Sequence, residues 1–303
     1  TITSSGGNVS VTGQGGGTGS SAHNIGTLVS DGGLISSGGS GGVAVTGTGG
    51  TGSGKNNTGV VVRFVEGGLR STIASLGGDV RIEGTGGGTG ASGFNGGVAI
   101  HLGGLVSAGG SGNVTVIGTS GGADGPFNHG VSVIGTTSPA EITSSGGNVL
   151  VRGTGNGSSA SENNRGVEVL AGGVITAGNS GAVTIEGTGG NSGIGYEHGV
   201  LVSGMSDAGD PATITSSGGN VSVTGQGGGT GSSAHNIGTL VSDGGLISSG
   251  GSGGVAVTGT GGTGSGKNNT GVVVRFVEGG LRSTIASLGG DVTVQGWAGG
   301  TGE

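Results

Sequence analysis

Residues 2–13 read I-T-S-S-G-G-N-V-S-V-T-G, and variants of this stretch recur along the whole chain. The stretch opens on Ile2, passes through a Ser/Gly turn, and reaches a V-x-V pair at Val9 and Val11 that is followed by Gly13. Alternation of apolar and polar residues with a period of two is typical of half-buried β-strands. The stretch therefore predicts two short strands joined by a tight turn.

The anchor residue at the start of this stretch recurs with spacings that alternate between 33 and 36–39 residues. Each anchor is followed by a V-x-V pair and then by a third short strand led by glycine, as in residues 130–133, G-V-S-V. Three strands per period predict an all-β fold, a single-stranded right-handed parallel β-helix (β-solenoid) whose coils of 33 and 36–39 residues alternate. The anchors are Ile2, Ile35, Ile73, Val106, Ile142, Ile175, Ile214, Ile247 and Ile285.

The two kinds of coil differ in their turns. The count from anchor to V-x-V pair alternates between 7 and 8 residues, which predicts a bulge or an altered turn in every second coil. The longer coils also carry extra residues within 63–72, 134–141 and 203–213. We expect these insertions to lie on one edge of the solenoid.

A longer repeat is superimposed on the coils. Residues 1–80 recur without a change as residues 213–292, an offset of 212 residues. Residues 1–212 therefore form one unit of six coils, and residues 213–303 begin an identical unit. We expect residues 1–303 to be one continuous solenoid and a segment of a longer array.

Composition narrows the possible functions. The chain has 89 glycines and 2% aromatic residues, so thin layers of Val and Ile are a better prediction than a conventional globular core. A net charge of −7 with nine Lys and Arg argues against nucleic acid and anionic membranes as partners. No apolar run is long enough to span a membrane, and the sequence contains no cysteine. We expect no cofactor, no metal and no catalytic residues.

Residues at equivalent coil positions should stack into columns. One polar column lies two residues before each third-strand glycine, with Glu197 replacing Asn in the sixth coil. Stacked amides can hydrogen-bond along the axis, and Asn tolerates the left-handed backbone of turns, so a structural ladder is the main prediction and a ligand site the alternative. The ladder consists of Asn24, Asn57, Asn95, Asn128, Asn164, Asn236 and Asn269.

A second column, the middle residue of the third strand, should face outward and is largely apolar. Such a face is typical of a contact surface for a partner or for lateral packing of solenoids, unless the long insertions fold over it. Both interpretations remain open from the sequence. The candidate contact residues are Leu28, Val61, Leu201, Leu240 and Val273.

Charged side chains do not form an evident active site. Arg152 and Glu186 should lie on adjacent coils and form a surface ion pair. Glu168, Glu186 and Glu197 are interpreted as ordinary surface charge. Two histidines of one column are separated by an arginine, which argues against shared metal ligation. They are His129 and His198, with Arg165 between them.

The motifs S-S-G-G-N-V-x-V-x-G (4–13), N-x-G-V-x-V (128–133) and G-G-V-I-T (172–176) together resemble the very large repeat-rich exoproteins of bacteria. These include filamentous-haemagglutinin-like adhesins and autotransporter passenger domains. The resemblance lies in pattern and composition over the whole chain. It implies a secreted or surface-displayed right-handed β-helix that acts as a stalk, adhesin or fibre, and it carries over no binding residues.

The leading hypothesis is a structural or adhesive extracellular fibre or stalk segment of a giant bacterial protein, not an enzyme. Its expected partners are other copies of itself, joined end to end or laterally, and host-cell or surface glycans and proteins. The alternative is a carbohydrate-binding or polysaccharide-degrading β-helix. In that case the long insertions would form a groove that includes Arg63, Glu66 and Arg70.

Overall fold

The computed structural model describes residues 1–64, 69–276 and 281–300, and within them the chain forms only β-strands and turns, without a helix. The strands are β1 Ile2–Ser4, β2 Val9–Gln14, β3 Thr27–Val29, β4 Leu34–Ser37, β5 Val43–Thr48, β6 Val60–Arg63, β7 Thr72–Ser75, β8 Val80–Thr85, β9 Val98–His101, β10 Leu105–Ala108, β11 Val114–Thr119, β12 Val131–Ile134, β13 Glu141–Ser144, β14 Val149–Thr154, β15 Val167–Leu170, β16 Val174–Ala177, β17 Val183–Thr188, β18 Val200–Ser203, β19 Thr213–Ser216, β20 Val221–Gln226, β21 Thr239–Ser242, β22 Leu246–Ser249, β23 Val255–Thr260, β24 Val272–Val274, β25 Thr284–Ser287 and β26 Val292–Trp297.

Every third strand belongs to the same sheet, so the chain winds through three parallel sheets in turn. The first sheet contains β1 and every third strand up to β25, the second runs from β2 to β26, and the third from β3 to β24. Each strand pairs in parallel with its equivalents in the adjoining coils. The predicted all-β solenoid with three strands per coil is confirmed.

The core is a continuous apolar column inside the three sheets. The first-strand anchors, such as Ile73 and Ile142, are buried together with the V-x-V pairs and both ends of the third strands. Along β8 buried and less buried residues alternate, as a strand with one face on the core requires. Because each layer is only as thick as one strand spacing, about 4.8 Å, a few Val and Ile per coil are enough to fill it.

Two columns of glycine explain the recurring V-x-V-x-G pattern. A Cβ atom built on Gly118 would overlap the carbonyl oxygen of Gly130, the residue that leads the third strand. A Cβ on Gly130 would in turn overlap the backbone nitrogen of Thr154 in the next coil. Backbone therefore packs directly on backbone between the second and third sheets. The first column consists of Gly13, Gly47, Gly84, Gly118, Gly153, Gly187, Gly225 and Gly259.

The altered turn predicted for every second coil is present between the first and second strands. In the longer coils this turn contains an additional left-handed residue, with φ between 48° and 55°. The strand registers are unbroken on both sides, so the added residue is absorbed in the turn and not in a bulge. The left-handed residues are Gly39, Gly110, Asn179 and Gly251.

The insertions lie on one edge of the solenoid, as expected, between a third-sheet strand and the next first-sheet strand. Residues 135–140 and 204–212 occupy this edge two coils apart. The backbone N–H of Asp207 donates to the carbonyl oxygen of Thr136 at 3.1 Å, so these two insertions touch across the intervening coil.

The three sheets pass from one 212-residue unit to the next in unbroken register. Strand β16 of the first unit pairs with β19 of the second, with Val174 opposite Thr213. The second and third sheets cross the same boundary in the same parallel arrangement. The boundary between units is therefore equivalent to the other coil boundaries.

Candidate functional site

The ladder of Asn side chains lies inside the turn that joins the second sheet to the third. The side-chain Nδ2 and the backbone N–H of Asn95 both donate to Oδ1 of Asn128, each at 3.0 Å. Asn57 donates to Asn95 in the same way, at 3.0 and 3.1 Å. Because Asn57, Asn95, Asn128 and Asn164 are fully buried, their amides face each other and not a ligand.

The left-handed backbone of this turn belongs to the residue before the ladder position, so the expectation that the ladder Asn itself would adopt it is wrong. The ladder amide has to point into the interior, and the chain changes direction one residue earlier. This column has φ between 57° and 66° in all eight turns that the structure describes. Its members are His23, Asn56, Phe94, Phe127, Asn163, Tyr196, His235 and Asn268.

Glu197 occupies the ladder position of the sixth coil and is 0% exposed, so its interpretation as surface charge is wrong. The Ser192 hydroxyl donates to its Oε1 at 2.6 Å, and the backbone N–H of Asn164 donates to its Oε2 at 3.1 Å. Burial raises the pKa of Glu197 to about 7, although the hydrogen bonds from Ser192 and Asn164 and the charge of Arg165 act against this rise. Glu197 therefore titrates near neutral pH.

The outer side of the third sheet is a groove and not an open face. One wall consists of the left-handed residues, the other of the last residues of the third strands, and the groove encloses a volume of about 370 Å³. The first wall contains His23, Asn56, Phe94 and Phe127, and the second contains Arg63, His101, Ile134 and Leu170.

These walls correct the expectation of an exposed apolar contact face. Val61, Leu201 and Leu240 are only 6%, 5% and 3% exposed, whereas Leu28 in the first coil is 45% exposed and Val273 is half-buried. The groove around Val61 is lined by residues of the third strands and of the turns before them. These neighbours, and not the long insertions, cover it. Farther along the same column, Leu201 and Leu240 form a small apolar cluster with Ile237, Leu170 and Val273.

Five polar residues at one end of the groove, which we call the polar cluster, hydrogen-bond to one another. Glu168 is 2% exposed, so its interpretation as surface charge is also wrong. Its Oε2 accepts from Nη1 of Arg165 at 2.7 Å, and its Oε1 accepts from the Ser132 hydroxyl at 2.8 Å. His129 Nε2 lies 3.3 Å from Oε1, and His101 Nε2 lies 2.9 Å from the Ser132 hydroxyl.

The proton positions in the polar cluster follow from its hydrogen bonds. His129 Nδ1 accepts from the backbone N–H of Arg165 at 3.2 Å, so the ring proton is on Nε2 and points at Glu168. Ser132 gives its single hydroxyl proton to Glu168, so His101 must donate to Ser132. A serine nucleophile would need the opposite arrangement, with the hydroxyl donating to a histidine base. The polar cluster is thus a hydrogen-bond network that converges on Glu168.

The charges of the polar cluster reduce to one ion pair at neutral pH. Burial by itself would raise the pKa of Glu168, but His129 and Arg165, with hydrogen bonds from Arg165 and Ser132, lower it to about 2. Burial lowers the pKa of His129 to about 4, so at pH 7 this ring is neutral and its contact with Glu168 is a hydrogen bond. Arg165 then carries the charge that neutralises Glu168, while its Nε is buried without a hydrogen-bond partner.

Reading single columns of the sequence separated the members of the polar cluster. His129 and Arg165 belong to one column, whereas Ser132 and Glu168 belong to the next column and are opposite each other in the sheet register. Reading neighbouring columns together, across adjacent coils, is the signal that would have found the polar cluster. The predicted ion pair between Arg152 and Glu186 is confirmed, with Nε and Oε2 2.6 Å apart.

The three residues of the alternative groove are not brought together by the insertions. Arg63 lies in the wall of the groove on the third sheet. Arg70 donates to the carbonyl oxygen of Gly103 at 2.8 Å and pairs with Glu141 at 3.1 Å, so it fastens the insertion edge. Glu66 lies outside the described residues.

Within the described ranges, no group of three His, Asp or Glu side chains could hold a metal ion. No helix capable of crossing a membrane is found in that part of the chain. Comparison with family models, with curated proteins and with solved structures finds no match to this chain.

Proposed function

We propose that the chain is a structural or adhesive segment of an extracellular fibre or stalk, within a giant surface or secreted bacterial protein. The observation that carries this proposal is the unbroken register at the boundary between the two units. Since one unit continues into an identical one without any change in the three sheets, further units would add length without a new type of contact.

The surface chemistry supports a role in which length matters. An identical 80-residue sequence returns after 212 residues, so the same surface returns after six coils, or about 29 Å at one strand spacing per coil. A fibre benefits from such a period, because each copy presents the same contacts farther along the axis. Self-association, end to end or lateral, belongs to the same proposal, since any open sheet edge offers unpaired N–H and C=O groups at this spacing.

The test is to lengthen the 303-residue chain by one and by two further 212-residue units and to measure particle length by electron microscopy. The present chain should measure on the order of 40 Å along its axis, and each unit should add about 29 Å at constant width. Particles that become wider instead, or that form separate bodies joined by linkers, would contradict the proposal. Surface display on cells, detected with an antibody, tests the extracellular part.

Glycan binding is a second candidate function, and the groove on the third sheet favours it. The groove is long, partly apolar and bordered by aromatic rings on one side. Polysaccharide cleavage gains no comparable support, because the polar cluster directs its protons toward Glu168 and not toward a base.

A further inference from the structure

The aromatic residues of this chain are concentrated on one wall of the groove. The chain has only six Phe, Tyr and Trp residues, and three of them, Phe94, Phe127 and Tyr196, belong to the left-handed column. The rings of Phe94 and Phe127 stack, with centroids 5.0 Å apart and planes at 25°. Both line the groove, and Phe94 is substantially exposed. This pair is an apolar platform that runs along the solenoid axis.

These rings are held at some cost in backbone energy. Phe94 and Phe127 have φ of 60° and 63°, a conformation that is uncommon for bulky residues and that Asn adopts more easily. The same column does contain Asn at positions 56, 163 and 268. Strained residues of this kind are typical of ligand sites. The strain is therefore consistent with rings that have a binding role.

The floor beside the rings is low. Gly96 and Ala99 provide the smallest side chains in the third coil, between Phe94 on one wall and His101 on the other. The groove continues over the neighbouring coils toward the polar cluster. Its shape thus suits an extended ligand with apolar faces and polar edges, lying parallel to the axis.

The charges around the groove favour an anionic ligand. Its lining includes two of the nine Lys and Arg residues, Arg63 and Arg165, but only one of the sixteen acidic residues, Glu168, which Arg165 already neutralises. Lys55 lies 5.7 Å above the Phe94 ring. Arg165 also retains one buried donor, Nε, without a partner. Positive charge is thus available beside the rings in a protein whose net charge is −7.

We propose that the groove binds an acidic oligosaccharide, a chain of pyranose rings that bear carboxylates. The apolar faces of the sugars would stack on Phe94 and Phe127, and the carboxylates would pair with Lys55 and Arg63. This inference deepens the second candidate function and does not depend on the fibre proposal. Single-stranded nucleic acid also stacks on aromatic rings, but it needs a continuous track of cations for its phosphates, which so few basic residues do not form.

The test is calorimetric titration of the 303-residue chain with three probes of matched length: oligogalacturonate, a neutral cello-oligosaccharide and oligothymidylate. We expect the uronate to bind most tightly and to weaken as salt is raised. Phe94→Asn and Phe127→Asn remove the rings while introducing the residue that the same column uses elsewhere, so folding is preserved. Each should weaken uronate binding about tenfold.

A matched control comes from the duplicated sequence. Lys55→Gln should weaken uronate binding several-fold, whereas Lys267→Gln, in the identical local sequence of the second unit, should not, because Phe94 lies outside the duplicated residues. Equal affinity for the uronate and the neutral probe, or preference for oligothymidylate, would overturn the proposal. So would the absence of binding to the folded chain, or binding that both Phe variants leave unchanged. None of these outcomes affects the fibre lengths.

Discussion

Replacing Glu197 with Gln should stabilise the protein at pH 8, even though the change removes a side chain that accepts three hydrogen bonds. Glu197 is fully buried in the ladder, and Arg165 is the cation that acts on it. The Gln side chain has nearly the same shape, carries no charge, and can donate as well as accept. It is therefore closer to the Asn residues that occupy this position in the other coils.

The magnitude follows from the raised pKa of Glu197, about 7 against an ordinary value of 4.5. Below pH 4.5 the folded and unfolded states both hold the proton, and the carboxyl causes no loss of stability. Between pH 4.5 and 7 the unfolded state releases the proton while the folded state keeps it, so the free energy of unfolding falls. Above pH 7 the full difference of 2.5 pK units applies, which amounts to about 3 kcal/mol.

The assay is urea unfolding of the wild type and of Glu197→Gln between pH 4 and pH 8. Their difference in unfolding free energy should be small at pH 4 and should grow to as much as about 3 kcal/mol in favour of the variant at pH 8. The difference between the two proteins is the informative quantity, because buried histidines act in the opposite direction. The pKa of His198 is lowered to about 3, chiefly by burial, so its contribution to stability is lost as the pH falls below 6.5.

Glu186→Gln is the matched control, because this carboxylate is partly exposed and pairs with Arg152 on the surface. It should change the unfolding free energy by no more than about 1 kcal/mol. Hydrogen exchange at the backbone N–H of Asn164, which donates to Glu197, localises the effect to the ladder. If Glu197→Gln follows the wild type at every pH, or is less stable at pH 8, burial does not govern this carboxyl.

Three further predictions concern the ladder, the glycine columns and the polar cluster. Asn128→Ala leaves two buried donors of Asn95 without an acceptor and should lower the urea-unfolding free energy by about 3 kcal/mol; a loss below 1 kcal/mol would refute the structural role of the ladder. Gly118→Ala would force a Cβ into the third-strand backbone and should lower the melting temperature strongly, whereas Gly122→Ala meets open space and should leave it nearly unchanged; equal effects would contradict the packing. Glu168→Gln leaves the Arg165 charge largely buried and unneutralised, which should cost about 3 kcal/mol at pH 7 in the same unfolding assay, and a variant as stable as wild type would show that solvent neutralises Arg165.

The period of the sequence was sufficient to determine the fold. Strand spacing, the V-x-V pairs and the recurrent glycines are local signals, and a parallel solenoid stacks equivalent positions on each other. Knowing the period therefore also predicts which residues are neighbours along the axis, such as Arg152 and Glu186. The alternation between 7 and 8 residues likewise predicted the altered turn, because a turn of a different length needs a different backbone conformation.

Only the tertiary structure decided which of the outward columns are exposed. On the second sheet the residue after the V-x-V pair meets solvent, as Thr46 and Arg152 do, whereas the middle of the third strand is covered at Val61 and Glu168. The strand patterns of the two sheets are alike. The difference arises from the left-handed residues and strand ends that rise on both sides of the third sheet, and these come from other columns and adjoining coils. Burial in turn sets the charge state of Glu168 and Glu197, since the free energy of a carboxylate depends on what surrounds it in space and not on its place in the repeat.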